Sequence, residues 1–455
     1  MNENKNIEFY GGKAGPWIPI ILLIIGMIAV VIMNKTDFYV YTLLTLGTVV
    51  ITFFLVKDKK SFGNVCIGGL KDDMLAILII AFMLAGILSQ LLRGSGLVEA
   101  LIHLASLFDM PPGIIPLIAF LICCLISTSC GTSSGSIVAV FPVMMPIGVE
   151  LGCDASLVAG AIISGALFGD NLAPISDTTI ASAVTQEQVI GDVVRTRLPY
   201  SLIAGAIAAV FFLVFGFMTS DAGITNIPTD GSTMPALALL IVPVVMIIMM
   251  KKGWDLAGTL IVCDVLAIII DVALGLIAPQ TMITAEGPII GGINGMVDMI
   301  IFCMFFFIII ESMRQSGAMD TLAEVLLKYC KGIRSVQIVI IISSVFGTIA
   351  TAGSSTGITF VGPMANKIAK KFNIKGTRVA NLLDATACST CGFVPFCTPY
   401  LLSLSLASDI EGIPDDYSYL SILKYVFHPI FLMILFIGSI FIRKINVLNE
   451  KPQNI

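Results

Sequence analysis

Gly165-Ala-Leu-Phe-Gly-Asp-Asn-Leu-Ala-Pro-Ile-Ser-Asp-Thr-Thr179 decides how this chain of 455 residues folds. Apolar sequence runs into it from Leu157 and resumes at Ile180. Between them lie two carboxylates (Asp170, Asp177), an amide (Asn171) and three hydroxyls (Ser176, Thr178, Thr179). A plain membrane-spanning helix gains nothing from such residues, because ionisable groups are costly at mid-membrane. Pro174 removes a backbone donor, and Gly169 loosens the turn before it. The pattern predicts a helix that breaks inside a bilayer and turns carbonyls, side-chain oxygens and helix ends towards a small site. Irregular backbone survives at that depth only where protein buries it or a cavity borders it. Secondary transporters build ion sites this way.

The composition agrees. Apolar residues make up 57% of the chain and charged residues 12%, too few to solvate a globular surface of this size. Charge-free stretches such as Trp17–Met33, Leu198–Met218 and Met299–Ile310 approach the roughly 20 residues that cross a bilayer. The first does not read as a cleaved signal peptide, since no small-residue cleavage pattern follows it and a second span does. A net charge of −5 says little about partners, and no basic run with interleaved aromatics suggests nucleic acid. The eleven cysteines suit helix packing in lipid better than redox or metal chemistry, despite the Cys388-Ser-Thr-Cys391 spacing. His103 and His428 make no ligand pattern.

Along the chain, a polar tail (1–16) precedes spans Trp17–Met33, Phe38–Val56 and Met74–Leu92. Gly96–Phe108 is too short and polar to cross, and suits the interface. The short apolar arms Ile114–Ile126 and Ser136–Val149 flank Ser127-Thr-Ser-Cys-Gly-Thr-Ser-Ser-Gly135, as in a re-entrant hairpin. The broken helix follows, then spans Leu198–Met218, Met234–Met250 and Asp255–Ile277. The pattern then repeats. Arg93-Gly-Ser-Gly matches Arg314-Gln-Ser-Gly, Gly131-Thr-Ser-Ser-Gly135 matches Gly353-Ser-Ser-Thr-Gly357, and Pro142 and Pro174 match Pro363 and Pro395, always 221 or 222 residues on. The expected fold is an all-α polytopic membrane protein. It has two repeats (17–220 and 221–445) of about five spans, each with a hairpin and a broken helix, and a short tail (446–455).

Lys and Arg placement orients the repeats. With Lys57–Lys60 in the cytoplasm, Arg195, Arg197, Lys251, Lys252, Arg314 through Arg334, Lys367 through Arg378 and both termini fall inside. The outer loops Glu150–Asp154, Asp221–Thr233, Pro279–Gly292 and Asp409–Tyr417 contain neither Lys nor Arg. Met74–Leu92 then runs outward and its copy, Met299–Met313, inward. The repeats are therefore expected to be inverted, an architecture of alternating-access carriers in a cell (plasma) membrane.

Four elements should converge near the midplane. The first tip offers Thr132, Ser133 and Ser134, and the second Ser354, Ser355 and Thr356. The first break offers Asp170, Asn171, Ser176, Asp177 and Thr178; the second offers Asp384, Thr390 and Phe396. Hydroxyls and carbonyls are the hard donors that replace an alkali cation's hydration shell, although Ser, Thr and Gly also pack helices closely. Asp170 and Asp177 align with Cys391 and Thr398, so only the first half carries a two-carboxylate loop. Asp177 is the first candidate for binding sodium and coupling it to protons, and Asp170 the second. Capping of the next segment is an equal alternative for Asp170. The second site, with Phe393 and Phe396, could hold a small organic solute. Glu311 is expected to face Arg314. Asp264 and Asp271 lie two helical turns apart on one face, for a proton path or for pairing.

Phe168-Gly-Asp-Asn-Leu-Ala-Pro-Ile-Ser-Asp-Thr-Thr179 resembles the signature of the NhaC-type sodium/proton antiporter family. The resemblance implies an ion-transporter fold in which inverted repeats with hairpin tips surround sodium and, in some members, a carboxylate solute. That family also includes a sodium–lactate/proton–malate exchanger. The tips here, Thr132-Ser-Ser134 and Ser354-Ser-Thr356, lack the Asn of the wider superfamily, which counts against a dicarboxylate. Sodium/proton antiport is therefore the leading expectation. The alternative is a sodium- or proton-coupled carrier of an amino acid or carboxylate. An enzyme would need a nucleophile with a base close by, and neither histidine supplies one. No cofactor is expected beyond sodium as coupling ion or substrate. The partners are lipid and a small ion or molecule, with a homodimer left open.

Overall fold

The computed structural model describes residues 7–32, 38–107, 111–220, 233–318, 330–408 and 410–442. Among these, helices account for almost everything, and the β-structure amounts to one bridge between Phe9 and Val56. In hydrocarbon, where water cannot satisfy the backbone, the helix bonds its own polar groups. Among the described residues, eight helical segments are long and apolar enough to cross a bilayer. Large apolar side chains such as Leu43, Phe54, Val210 and Phe217 stand exposed on their outer faces, as contact with lipid requires.

The first five helices are α1 (Ile18–Ile32), α2 (Phe38–Leu55), α3 (Phe62–Leu70), α4 (Asp73–Gly94) and α5 (Leu97–Leu107). The 11 residues of α5 reach only about 16 Å, too short to cross. Next come α6 (Ile115–Cys130), α7 (Ser133–Glu150), α8 (Ala155–Leu172), α9 (Asp177–Thr185) and α10 (Ile190–Thr219). Then follow α11 (Ile241–Lys251), α12 (Leu256–Ala273), α13 (Pro279–Met282), α14 (Pro288–Gly295) and α15 (Val297–Gln315). The last six are α16 (Ile333–Thr351), α17 (Ser354–Lys371), α18 (Gly376–Cys391), α19 (Thr398–Ala407), α20 (Tyr419–Leu423) and α21 (Phe427–Phe441).

Packing sorts them into two groups. In one, α4 lies against α12 and α14, and α15 against α2 and α3. In the other, α6 and α7 pack on α8, and α16 and α17 on α18, with α10 and α21 alongside. Within this second group α7 also packs on α19, and α17 on α9. Each hairpin thus lends an arm to the broken helix of the opposite half.

Three local features differ from the sequence expectation. The N-terminal segment is not a loose tail over residues 7–16. Ile7 and Phe9 are buried, the Tyr10 N–H donates to the Leu55 carbonyl at 2.8 Å, and the Ile7 N–H donates to the Gln315 carbonyl at 3.1 Å. The hairpin arms are longer than the apolar runs, at 16 and 18 residues for α6 and α7. Their hydroxyls bond back along the helix, Thr128 to the Cys124 carbonyl at 2.7 Å and Ser136 to the Thr132 carbonyl at 2.7 Å, so that polarity does not end the helix. Only Gly131, left-handed at φ 71°, and Thr132 remain as the turn. At the second tip, Ala352 holds the same conformation at φ 53°.

Gly169, finally, does not loosen the chain. The helix α8 runs through it to Leu172, and the break falls at residues 173–176 around Pro174. Gly165 and Gly169 form a small-residue face that lets α8 lie against the backbone of α6. A side-chain carbon at Gly165 would stand 2.5 Å from the Phe120 carbonyl, and one at Gly169 would strike Ser127 and Thr128. Expectations for the loops at 34–37 and 221–232, for 319–329, and for the terminal tails at 1–6 and 443–455 lie outside the described residues.

Candidate functional site

A cavity of about 100 Å³ lies where the two tips and the two breaks meet. Thr132, Ser133 and Ser134 border it from the first tip, and Gly353, Ser354 and Ser355 from the second. Asp170 and Asp177 line it on either side of the first break, and Cys391, Thr398 and Pro399 across the second. At roughly 30 Å³ per water, it has room for an ion with part of its hydration shell.

Asp170 sits in the last turn of α8 and is buried. Its Oδ1 accepts from Ser176 Oγ at 2.6 Å and its Oδ2 from Ser133 Oγ at 2.9 Å. One carboxylate therefore joins the first break to the first tip. Thr178 Oγ1 lies 2.9 Å from Ser176 Oγ and donates to the Asp170 carbonyl at 3.3 Å. Ser176, not Asp170, caps α9, accepting the Thr178 N–H at 3.3 Å. The capping alternative for Asp170 is thereby set aside, because Asp170 belongs to the preceding helix. Asp177 is the first residue of α9 and is exposed where it borders the cavity. A carboxylate there also complements the helix dipole.

The cavity collects helix ends. The N-termini of α7, α9, α17 and α19 all reach it, and each brings a partial positive charge and free N–H groups. Two carboxylates in the first half offset this field. The second half contributes hydroxyls and a thiol without a carboxylate.

Seven of the residues expected from sequence do not line the cavity: Ser176 and Thr178 are tied to it through Asp170, and five stand apart. Asn171 and Asp384 belong to a buried polar network one layer away. Asn171 Nδ2 donates to Asp384 Oδ1 at 2.8 Å, and Ser201 Oγ donates to Asn171 Oδ1 at 2.6 Å. Arg197 of α10 forms an ion pair with Asp384 of α18, and neither side chain is exposed. Arg197 also donates to the Asn171 carbonyl at 2.6 Å and to Asn381 Oδ1 at 3.1 Å. Thr390 bonds to the Thr386 carbonyl of its own helix at 2.7 Å. Phe396 packs on Phe306, ring centroids 4.6 Å apart, inside the apolar core. Thr356 turns back to the Gly353 carbonyl at 3.2 Å.

Arg197 is the member that sequence reasoning missed. Its sequence position reads as that of a cytoplasmic loop cation, yet it lies inside α10, which extends from Ile190. Arg378, which reads likewise, is buried against Gln337, Ser439 and the Phe436 ring. The available signal was Asp384 itself, since a carboxylate within a span requires a partner. Glu311 does pair with Arg314, at 2.9 Å. His428 is buried against the Phe168 ring.

Residues 11–217 match the Na+/H+ antiporter family. This stretch contains the first hairpin, the first break, Asp170, Asp177 and Arg197. The chain is also 34% identical over 160 residues to the malate-2H(+)/Na(+)-lactate antiporter of Bacillus subtilis (strain 168), covering 35% of this chain and 33% of that protein. It is 26% identical over 201 residues to the Na(+)/H(+) antiporter NhaC of Alkalihalophilus pseudofirmus, covering 43% of each. Over 76 residues it is 38% identical to the arginine/ornithine antiporter ArcD of Halobacterium salinarum, 17% of this chain and 16% of that one. The matched stretches span less than half the length of each of these relatives. The family is one of transporters, and this chain is a multi-pass membrane protein.

Replacing Arg197 with Met should leave Asp384 buried and uncompensated, at a cost of about 3–5 kcal/mol. The thermal midpoint in detergent should fall sharply. The double variant Arg197→Met, Asp384→Leu should regain much of the loss. A single variant as stable as the parent would contradict the pairing.

Proposed function

We propose that the chain exchanges sodium for protons across the plasma membrane by alternating access, with Asp170 and Asp177 as the shared binding groups. The observation that carries this is the cavity in which two carboxylates face two hydroxyl-rich tips at four helix ends. Sodium needs hard oxygen donors in place of water. Asp170, Thr132, Ser133, Ser134, Ser176 and Thr178 offer such donors around one point. A proton on Asp170 removes the charge that would hold the cation, so one carboxylate serves both ions in turn. Asp170, buried and held by Ser133 and Ser176, is the inner ligand; Asp177 stands at the mouth.

The two halves, 17–220 and 221–445, act as inverted repeats with both termini cytoplasmic. The crossed packing of α7 on α19 and α17 on α9 supports this reading. Two such pairs flank the cavity and could part alternately. The α9–α17 pair is fastened at its far end. Gln186 donates to the Gly362 carbonyl at 2.9 Å, Asn366 to the Thr185 carbonyl at 2.9 Å, and Lys370 pairs with Glu187 at 2.7 Å. The hydrogen bond from Lys370 holds the exposed Glu187 carboxyl below its ordinary range. Opening on that side has to break these contacts.

A second reading is a cation-coupled carrier of a small carboxylate or amino acid. Four helix N-termini at one cavity favour an anion, and the carboxylate-free lining from Ser354, Ser355 and Thr398 suits a solute carboxylate. Two of the relatives carry such solutes in their names.

Proteoliposomes with a pH-sensitive dye inside and no organic solute separate the two. Sodium added outside should alkalinise the lumen, and Asp170→Asn and Asp177→Asn should each abolish most of the rate. A lumen pH that stays still until a carboxylate or amino acid is supplied would replace antiport with the second reading.

Orientation is read separately, from single cysteines in a cysteine-free background. In intact cells Thr225→Cys should react with an impermeant thiol reagent and Lys371→Cys should not. The reverse pattern would overturn the orientation, and reaction at both positions or at neither would overturn the inverted arrangement.

A further inference from the structure

Asp264 and Asp271 of α12 lie outside the cavity, and no donor among the described residues reaches any of their four carboxyl oxygens. Asp264 is 6% exposed and Asp271 is fully buried. They share the inward stripe of α12 with Thr259, Cys263 and Ala267, while Ile261, Val265, Ile269 and Val272 face outward. A carboxylate without a donor is expensive in such surroundings, and a proton on the group removes the charge. At these two positions an apolar residue would pack at no such cost, so packing alone does not account for them.

The surroundings contain little else that titrates. On α4, which packs along this stripe, the charged residues are Asp73 and Arg93, one in each terminal turn. On α11 it is Lys251, the last residue, and the turn Met234–Leu240 has none. On α12 itself Asp255 caps the start, and the Cys263 thiol reaches the Val242 carbonyl at 3.8 Å.

The pair also leads somewhere at each end. The Leu276 N–H donates to the Asp271 carbonyl at 2.8 Å, and Ile277 stands against Gly94. Gly94 and Arg93 line a polar cavity of about 300 Å³ with Gln90, Glu99 and Glu150. At the other end α11 bridges α12 to the first hairpin tip, since a side chain at Gly135 would meet the Met250 methyl at 2.5 Å. Asp264 and Asp271 are about 10.5 Å apart along the axis, two helical turns.

We propose that Asp264 and Asp271 form a second proton-binding station, a relay along α12 between the polar cavity at Arg93 and the first hairpin tip. This rests on the antiport reading. Each carboxylate takes a proton from water on one side and gives it up to water on the other, with no change of oxidation state.

The test compares two transport modes of the full chain in proteoliposomes. One is sodium-driven proton efflux; the other is exchange of labelled for unlabelled sodium, which needs no net proton movement. Asp264→Asn and Asp271→Asn should each slow proton efflux by about ten-fold or more, while labelled sodium exchanges at the parent rate. Asp264→Glu, which keeps the carboxyl, should restore efflux. If an amide variant does not fold, Asp264→Leu suits the apolar surroundings and should give the same split. Full proton efflux in the variants, or an equal fall in both modes, would overturn the relay. A parent protein that exchanges sodium but moves no protons would overturn the antiport reading, and the relay with it.

Discussion

The ion pair between Arg197 and Asp384 is the constraint on which the site depends. Both side chains are wholly enclosed, and the arginine also holds the Asn171 carbonyl and the Asn381 amide. Three helices, α8, α10 and α18, are thereby fixed to one another behind the two breaks. Two buried charges are costly unless hydrogen bonds satisfy them, and here Asn171 and Ser182 supply further donors to the Asp384 carboxylate. With Asp384 neutralised in this way, Asp170 and Asp177 remain as the carboxylates that the cavity presents.

A second constraint comes from the backbone. Eight helix ends meet inside an apolar body, and each leaves carbonyls or N–H groups without intrahelical partners. Side chains meet part of the demand. Thr132 accepts the Gly135 N–H at 3.5 Å, Thr351 donates to the Gly353 carbonyl at 3.0 Å, and Ser176 caps α9. The hydroxyls of the tips thus satisfy the chain turn while bordering the cavity.

Much of this was legible in the sequence. Polar residues inside long apolar runs are conspicuous, so the tips and the first break could be located, and nine of the fourteen site residues line the cavity or bond directly to Asp170. The steady offset between Gly131 and Gly353, and between Pro174 and Pro395, pointed to paired hairpins and breaks that recur as helical elements. What the sequence hid was direction and depth. Arg197 and Arg378 lie near the polar ends of spans, where a cation reads as a loop residue, and only tertiary contacts reveal that both turn inward. Asn171, next to Asp170, points to a different side of α8, since successive residues on a helix are about 100° apart. Gly169 read as a hinge and proved a packing face, because one glycine beside a proline does not disclose which of them ends the helix.

If one carboxylate serves both ions, sodium and a proton compete for Asp170. Equilibrium binding of labelled sodium to the purified protein across a range of pH tests it without transport. Acid should weaken sodium binding competitively in the parent protein, and Asp170→Asn should abolish binding at every pH. Tight sodium binding that is indifferent to pH, or that survives in the Asp170→Asn variant, would contradict the competition.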